Sequence, residues 1–224
     1  LNFEGTPGDT ITKANIDPRN KWIAVTKRIF EDLGINLATS GRQLTMSHQE
    51  MGQWLLLTHA EQMVKAIALG PYKALIKSKK ADSWEGVDFE RLHKAGVEWL
   101  GDVFRHFGGP EVLGDQSRVI RTIAVRVALA SLGSAFYHRN LAGMGDARTT
   151  LTQINWVVSE AWNGIGGKVT INDAGVAKMS AGSGKESITK AVQAVTKPET
   201  KAGRAVRGLK PVPDSTEVEV SPAA

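Results

Sequence analysis

The chain of 224 residues contains no cysteine. This absence excludes a disulfide scaffold, a thiolate metal site and a cysteine nucleophile. A chain without thiols fits a reducing cytoplasm, where we expect the protein to act.

A long apolar run is also missing. No stretch reaches the roughly 18 residues that a membrane-spanning helix needs. The most apolar segment, residues 119–136, is interrupted by Arg121 and Arg126. No basic start followed by an apolar block marks a signal peptide. The sequence therefore predicts no membrane partner.

Complete catalytic motifs are absent from the sequence as well. No Gly-x-Ser-x-Gly segment frames a serine, and no His-Glu-x-x-His segment supplies metal ligands. Asp102 and His106 lie one helical turn apart, and we interpret them as a surface or capping pair. The sequence thus predicts no catalytic residue, no metal ligand and no cofactor, and leaves open whether the protein is an enzyme.

One glycine-rich segment partly resembles a phosphate-binding loop. Gly182, Gly184 and Lys185 stand in the right order, but Met179 replaces the first glycine and Glu186 replaces the serine or threonine that binds magnesium. We interpret the segment as a loop leading into a helix. Weak phosphate binding at that helix N-terminus is the functional alternative.

Apolar residues make up 42% of the chain and charged residues 23%, which is typical of a globular domain. Helical periodicity recurs along residues 18–33, 47–69, 88–107, 116–137, 146–154 and 187–195. The sequence predicts a mainly α fold, a multi-helix bundle with at most a minor strand element near residues 168–171. Residues 1–17 are predicted to form an irregular N-terminal segment, 18–196 the helical domain, and 197–224 a flexible, basic-then-acidic, disordered C-terminal tail.

The net charge of +5 permits an anionic partner without requiring one. On a helix spanning residues 116–137, Arg118, Arg121 and Arg126 would share one side. Internal ion pairs or carbonyl caps would explain them, and a phosphate-facing stripe is the alternative. In the tail, Lys201, Arg204 and Arg207 are the further candidates for phosphate contacts, because a basic arm can follow a nucleic-acid backbone.

Several segments resemble DGQHR-domain proteins, a family that includes the B-type protein of bacterial DNA sulfur modification (phosphorothioation). They are residues 1–6, 117–133 (beginning Ser-Arg-Val-Ile-Arg-Thr), 154–156 (Ile-Asn-Trp), 162–168 (Trp-Asn-Gly through Gly-Lys) and 183–192. The resemblance covers residues 1–196 and does not include the Asp-Gly-Gln-His-Arg signature. It therefore implies the C-terminal helical part of a larger protein, with a ParB-like domain or a partner chain supplying the rest.

This resemblance implies a DNA-associated, phosphate-contacting protein of bacterial DNA modification, defence or its transcriptional regulation. DNA is then the expected partner. Two alternatives remain open at this point: a helical protein–protein interaction module without nucleic-acid binding, and the C-terminal half of a ParB-like nuclease or NTPase whose catalytic domain lies elsewhere.

Overall fold

The computed structural model describes residues 18–39, 44–75, 86–181 and 184–210. The helices are α1 (Pro18–Asp32), α2 (Met46–Glu50), α3 (Leu57–Leu69), α4 (Phe89–Phe107), α5 (Ile123–Ser131), α6 (Ser134–Tyr137), α7 (Leu141–Gln153), α8 (Lys185–Thr196) and α9 (Lys201–Ala205). The strands are β1 (Asn36–Ala38), β2 (Gln53–Leu56), β3 (Gly167–Ile171) and β4 (Ala177–Ala181), with 3₁₀ turns at Lys73–Leu75, Pro110–Leu113, Val119–Arg121 and Glu160–Trp162. The prediction of a mainly helical fold with minor strand elements is confirmed.

The core surrounds α5, in which every residue from Ile123 to Ala130 is buried. This helix packs against α3 on one side and α8 on the other, while α1 and α4 pack together and against α3. One connected set of buried apolar residues extends from Trp22 to Val206. Because a helix that is apolar all round must be enclosed, the sequence correctly places α5 at the centre.

The expected continuous helix over residues 116–137 is wrong, however. Its first part leaves the helical path because Val119 N–H donates to the Trp156 carbonyl at 3.0 Å and Val158 N–H donates to the Ser117 carbonyl at 2.7 Å. Thr122 is extended, with φ −86° and ψ 140°, and α5 begins only after it. The three arginines are therefore not arranged as they would be on one helix.

The expected helix over residues 47–69 is also divided. Thr45, rather than Ser47, caps α2, and Gly52 then turns the chain with φ +68°. Residues of β2 pair in parallel with β1 before α3 begins. Met51, which the helical pattern places inside, is consequently 58% exposed.

The sequence analysis places the start of the disordered tail, residue 197, too early in the chain. Residues 197–210 fold back on the domain, with α9 packed against α8 and Val206 fully buried. Thr200 caps α9 by accepting a hydrogen bond from Gly203 N–H at 3.0 Å. Residues 1–17 and 211–224 lie outside the described part of the chain. Among the described residues no helix has the length and apolar character to cross a membrane.

Candidate nucleic-acid interface

Arg126 is not available to a partner, because its side chain is buried in the core with 3% exposure. Its Nε donates to the Ile120 carbonyl at 2.8 Å and its Nη2 to the Leu113 carbonyl at 3.0 Å. Removal from water, with a smaller contribution from the positive charge of Arg121, lowers the pKa of Arg126 to about 9. The prediction that Arg126 contacts phosphate is therefore wrong; the guanidinium caps two 3₁₀ turns from within.

Arg118 and Arg121 are partly exposed but lie in different surroundings. Arg118 Nε is 3.8 Å from Asp115 Oδ2, a long ion pair at the surface. Arg121 Nη1 donates to the Met179 carbonyl at 3.2 Å, so this side chain lies against strand β4. The predicted stripe of three arginines does not exist, and Arg121 alone joins the surface described below.

The basic residues predicted in the tail also differ in their surroundings, since one of them binds carbonyl groups of the fold. Arg207 Nη1 donates to the Ala194 and Gly203 carbonyls, each at 2.9 Å, and Nη2 to the Val195 carbonyl at 2.8 Å. Arg207 thus caps the C-terminal end of α8, so its assignment as a phosphate contact is wrong. Arg204 Nε donates to the Lys210 carbonyl at 2.7 Å, and Lys201 is exposed in the first turn of α9.

Strands β3 and β4 form an antiparallel hairpin whose outer face is polar. Lys168 pairs with Ser180, and Thr170 pairs with Lys178. Because paired residues share a face and alternate residues along a strand share it too, these four side chains point the same way. All four are exposed, whereas Val169 and Met179 on the opposite face are buried.

The hairpin is fixed to the domain at its base. Asn163 Oδ1 accepts from Val169 N–H at 3.0 Å, and the Arg121 guanidinium donates to the Met179 carbonyl. Gly166 lies so close to α5 that a Cβ there would stand 2.9 Å from Val125 Cγ2. Only a residue without a side chain allows this approach, so the glycine positions the hairpin against the core.

A cleft of about 330 Å³ lies between the hairpin and the start of α8. Glycines, short polar side chains and charged groups form its walls: Asn163, Gly164, Gly167, Lys168, Ser180, Glu186, Ser187 and Lys190. Lys190 Nζ is 2.8 Å from Glu186 Oε1, and this hydrogen bond holds the pKa of Glu186 below its ordinary value. Lys168 has no such acidic partner among the described residues.

The incomplete phosphate loop of the sequence directly precedes Glu186 and Ser187, which line this cleft. Gly184 is the N-cap of α8 and Lys185 its first residue, both exposed, while Gly182 lies outside the described residues. Unpaired amide groups at a helix N-terminus carry partial positive charge, which adds to that of the lysines. Sequence reasoning missed the four exposed positions of the hairpin, residues 168, 170, 178 and 180. A signal was present, because in each strand a lysine and a hydroxyl residue are two positions apart, the period of a β-strand.

The remaining candidate groups from the sequence do not form a catalytic centre. Asp102 accepts hydrogen bonds from Arg105 at 2.8 Å and from Arg148 at 2.7 Å, both at exposed positions. His106 instead meets the ring of Phe107 edge-on. In the part of the chain that the structure describes, no three His, Asp or Glu side chains are grouped as metal ligands would be.

Comparison with protein-family models, with curated proteins and with solved structures finds no match to this chain. The resemblance to DGQHR-domain proteins consequently remains a prediction from the sequence.

Proposed function

We propose that this chain is a DNA-associated helical module of the DGQHR type, which acts in the bacterial cytoplasm in DNA modification, defence or its regulation. In this proposal the β3–β4 hairpin and the start of α8 contact the phosphate backbone. The observation that supports it is the polar cleft between these elements, with Lys168 and Lys190 in its walls and Arg121 at the base of the hairpin.

The charge of this surface favours a polyanion. Lysines 168, 178, 185 and 190 are all exposed here. Three acids partly offset them: Glu186, which already pairs with Lys190, Asp173 in the hairpin turn, and Glu160, which accepts a hydrogen bond from Asn163 of the cleft wall. Lys168 and Lys178, separated along one polar face and without ion pairs among the described residues, are free to follow a chain of phosphates.

The surface is suited to backbone contact rather than to base reading. Lysine acts as a point charge, so it positions a protein on the duplex without specifying a sequence. Thr170 and Ser180 already donate their hydroxyl hydrogens to the carbonyls of Lys178 and Lys168, at 3.5 and 3.1 Å. These hydroxyl groups can then only accept further hydrogen bonds, whereas a phosphate needs donors. The lysines therefore supply the affinity.

The test is the salt dependence of affinity for a short duplex of random sequence. Each lost phosphate contact should reduce the slope of log K against log salt by about 0.9. The double variant Lys168→Gln and Lys178→Gln should thus reduce it by about 1.8. The control is Lys94→Gln, an exposed lysine on α4, a helix that packs against α1, α3, α6 and α7.

Absence of duplex binding by the wild-type chain at low salt would refute the proposal, as would equal slopes for the double variant and the control. Lys201→Gln, measured alongside, tests the phosphate contact predicted for α9. That variant should reduce the slope of log K against log salt by no more than about 0.9, the value expected for one phosphate contact.

A second function, a protein-interaction module, is favoured by one observation. Met46 and Met51, at the two ends of α2, are 76% and 58% exposed, and methionine is common at adaptable binding surfaces. Duplex binding with the expected salt slope would decide for the DNA module, whereas absence of binding would favour the methionine surface.

A further inference from the structure

The outer edge of β3 is open towards the tip of the hairpin. Val169 N–H donates to Asn163 Oδ1, outside the two-strand ladder. The carbonyl of its paired residue, Met179, accepts from Arg121, also outside the ladder. Because bonded and non-bonded pairs alternate in an antiparallel ladder, the backbone groups of Ile171, two residues further along, also point away from β4. Within the described chain these groups have no backbone partner outside the ladder, so the edge can receive a further strand.

This edge is apolar on one face of the hairpin and basic on the other. Ile171 shares a face with Val169 and Met179, which are buried, yet Ile171 itself is 58% exposed. The opposite face carries Lys168 and Lys178, both exposed. A strand that completes the edge should therefore have apolar residues at alternate positions and acidic residues between them.

Residues 216–220 of the same chain have this pattern. Their sequence is Thr-Glu-Val-Glu-Val, so in an extended strand Glu217 and Glu219 would share one face and the two valines the other. Valine and threonine are both enriched in strands. Residues 211–224 contain three acidic residues and no lysine or arginine. Their charge is therefore opposite to that of the lysines on the hairpin.

The last described residues lie near the base of the hairpin. The Lys210 carbonyl accepts from Arg204 Nε of α9 at 2.7 Å, and α9 packs against the turn Glu160–Trp162. That turn leads directly into Asn163, which holds β3 at its base. The five residues 211–215 can span about 17 Å when extended. The segment that follows them can therefore reach β3 and run along it from base to tip.

We propose that residues 216–220 dock as a third strand on the open edge of β3 and thereby cover the basic face of the hairpin. The two valines lie beside Ile171, and the two glutamates lie on the face that carries Lys168 and Lys178. Where this inference concerns regulation it rests on the proposed DNA association, because the segment and the phosphates compete for the same lysines. A short tether supplies an effective concentration of the order of millimolar, so even one short strand can occupy the edge for most of the time.

Hydrogen exchange of the full chain tests the docking itself, with no DNA present. If the segment is docked for about four fifths of the time, its amide hydrogens should exchange about fivefold more slowly than in a peptide of residues 211–224. The swapped variant, Glu217→Val with Val218→Glu, keeps the composition and charge but destroys the alternation. Its amides should exchange at the rate of the peptide. Unprotected amides in wild type, or equal protection in the swapped variant, would overturn the docking.

Duplex affinity tests the regulation. A hairpin face that is free for about one fifth of the time binds with an apparent affinity reduced about fivefold, so the swapped variant should bind a short duplex about fivefold more tightly than wild type. General repulsion between acidic residues and DNA predicts no such difference, because the charge is unchanged. The matched control, Asp214→Ser with Ser215→Asp, makes the same kind of swap outside the alternating segment. It should leave both the hydrogen exchange and the affinity as in wild type.

The outcomes separate this inference from the proposed function. If wild-type protein binds no duplex at low salt, the proposed function fails and the regulation with it, while hydrogen exchange still decides the docking. If the segment is protected but wild type and the swapped variant bind the duplex equally, the docking stands and the regulation is overturned. Circular dichroism of each variant checks that the helical domain is retained.

Discussion

His59 on α3 makes the stability of this protein sensitive to acid. Its Nδ1 is buried without a hydrogen-bond partner among the described residues. Burial, with a smaller contribution from the positive charge of Arg126, lowers the pKa of His59 from 6.5 to about 4. The fold therefore accepts the neutral imidazole, while the unfolded chain binds the proton at the ordinary pKa.

The direction and size of the effect follow from this difference in pKa. Because the unfolded state binds the proton more tightly, the free energy of unfolding falls as the pH drops from 6.5 towards 4. Between about pH 7.5 and pH 5, the whole difference in the pKa of His59 would lower the free energy of unfolding by about 2 kcal/mol. The side chain is partly exposed, so screening by solvent reduces the expected loss to about 1–2 kcal/mol.

Urea unfolding, followed by tryptophan fluorescence at these two pH values, measures the loss. His59→Leu is the comparison, because leucine fills a similar space and no bond of Nδ1 is given up. Other titrating groups act in both proteins, so the difference between their pH dependences isolates His59. Parallel pH profiles for wild type and His59→Leu, within about 0.3 kcal/mol, would refute the reasoning.

Packing and capping give two further predictions. Gly133→Ala should destabilise the fold by about 1–3 kcal/mol in urea unfolding, since a Cβ there would stand 2.5 Å from Trp99 Cδ1. Gly145→Ala in α7 should instead stabilise the fold by about 0.5–1 kcal/mol, because a Cβ there would meet nothing within 4 Å. Equal effects at the two glycines would contradict this packing. Arg207→Met should cost about 1–3 kcal/mol, because it removes the donors that cap α8. Hydrogen exchange should then rise across α9 while duplex affinity stays constant; loss of affinity without faster exchange would restore Arg207 as a phosphate contact.

The helical character of the chain was predictable because the relevant signals are local. Asp88 caps α4 by accepting from Arg91 N–H at 2.9 Å, and Gly108 ends this helix at φ +84°. The helix predicted over residues 88–107 matches α4, and the strand element predicted near residues 168–171 matches β3. The sequence missed β1 and β2 because three or four residues carry too little periodicity, and their pairing joins segments about 17 positions apart.

The candidate site was predicted only in part. Glu186 and Ser187, which line the cleft, directly follow Gly184 and Lys185 of the incomplete phosphate loop, and the resemblance drew attention to residues 162–168. Weak phosphate binding by that loop stays a prediction. The hairpin face with Lys168 and Lys178 was missed, because its four side chains share one surface only through the register of two strands. The alternation of apolar and polar residues along Ala177–Ala181 was the signal that could have revealed the second strand.

The amino-acid sequence alone determined a helical domain with an apolar central helix and a modest positive charge, because periodicity and composition act over one or two turns. Only the tertiary structure decided which cations face outwards. Arg126 and Arg207 turn inwards to carbonyl groups that the 3₁₀ turns and the end of α8 leave unpaired, and such groups exist only once distant segments have met. Lysines on a hairpin that packs against α5 through Gly166 were left to form the basic surface.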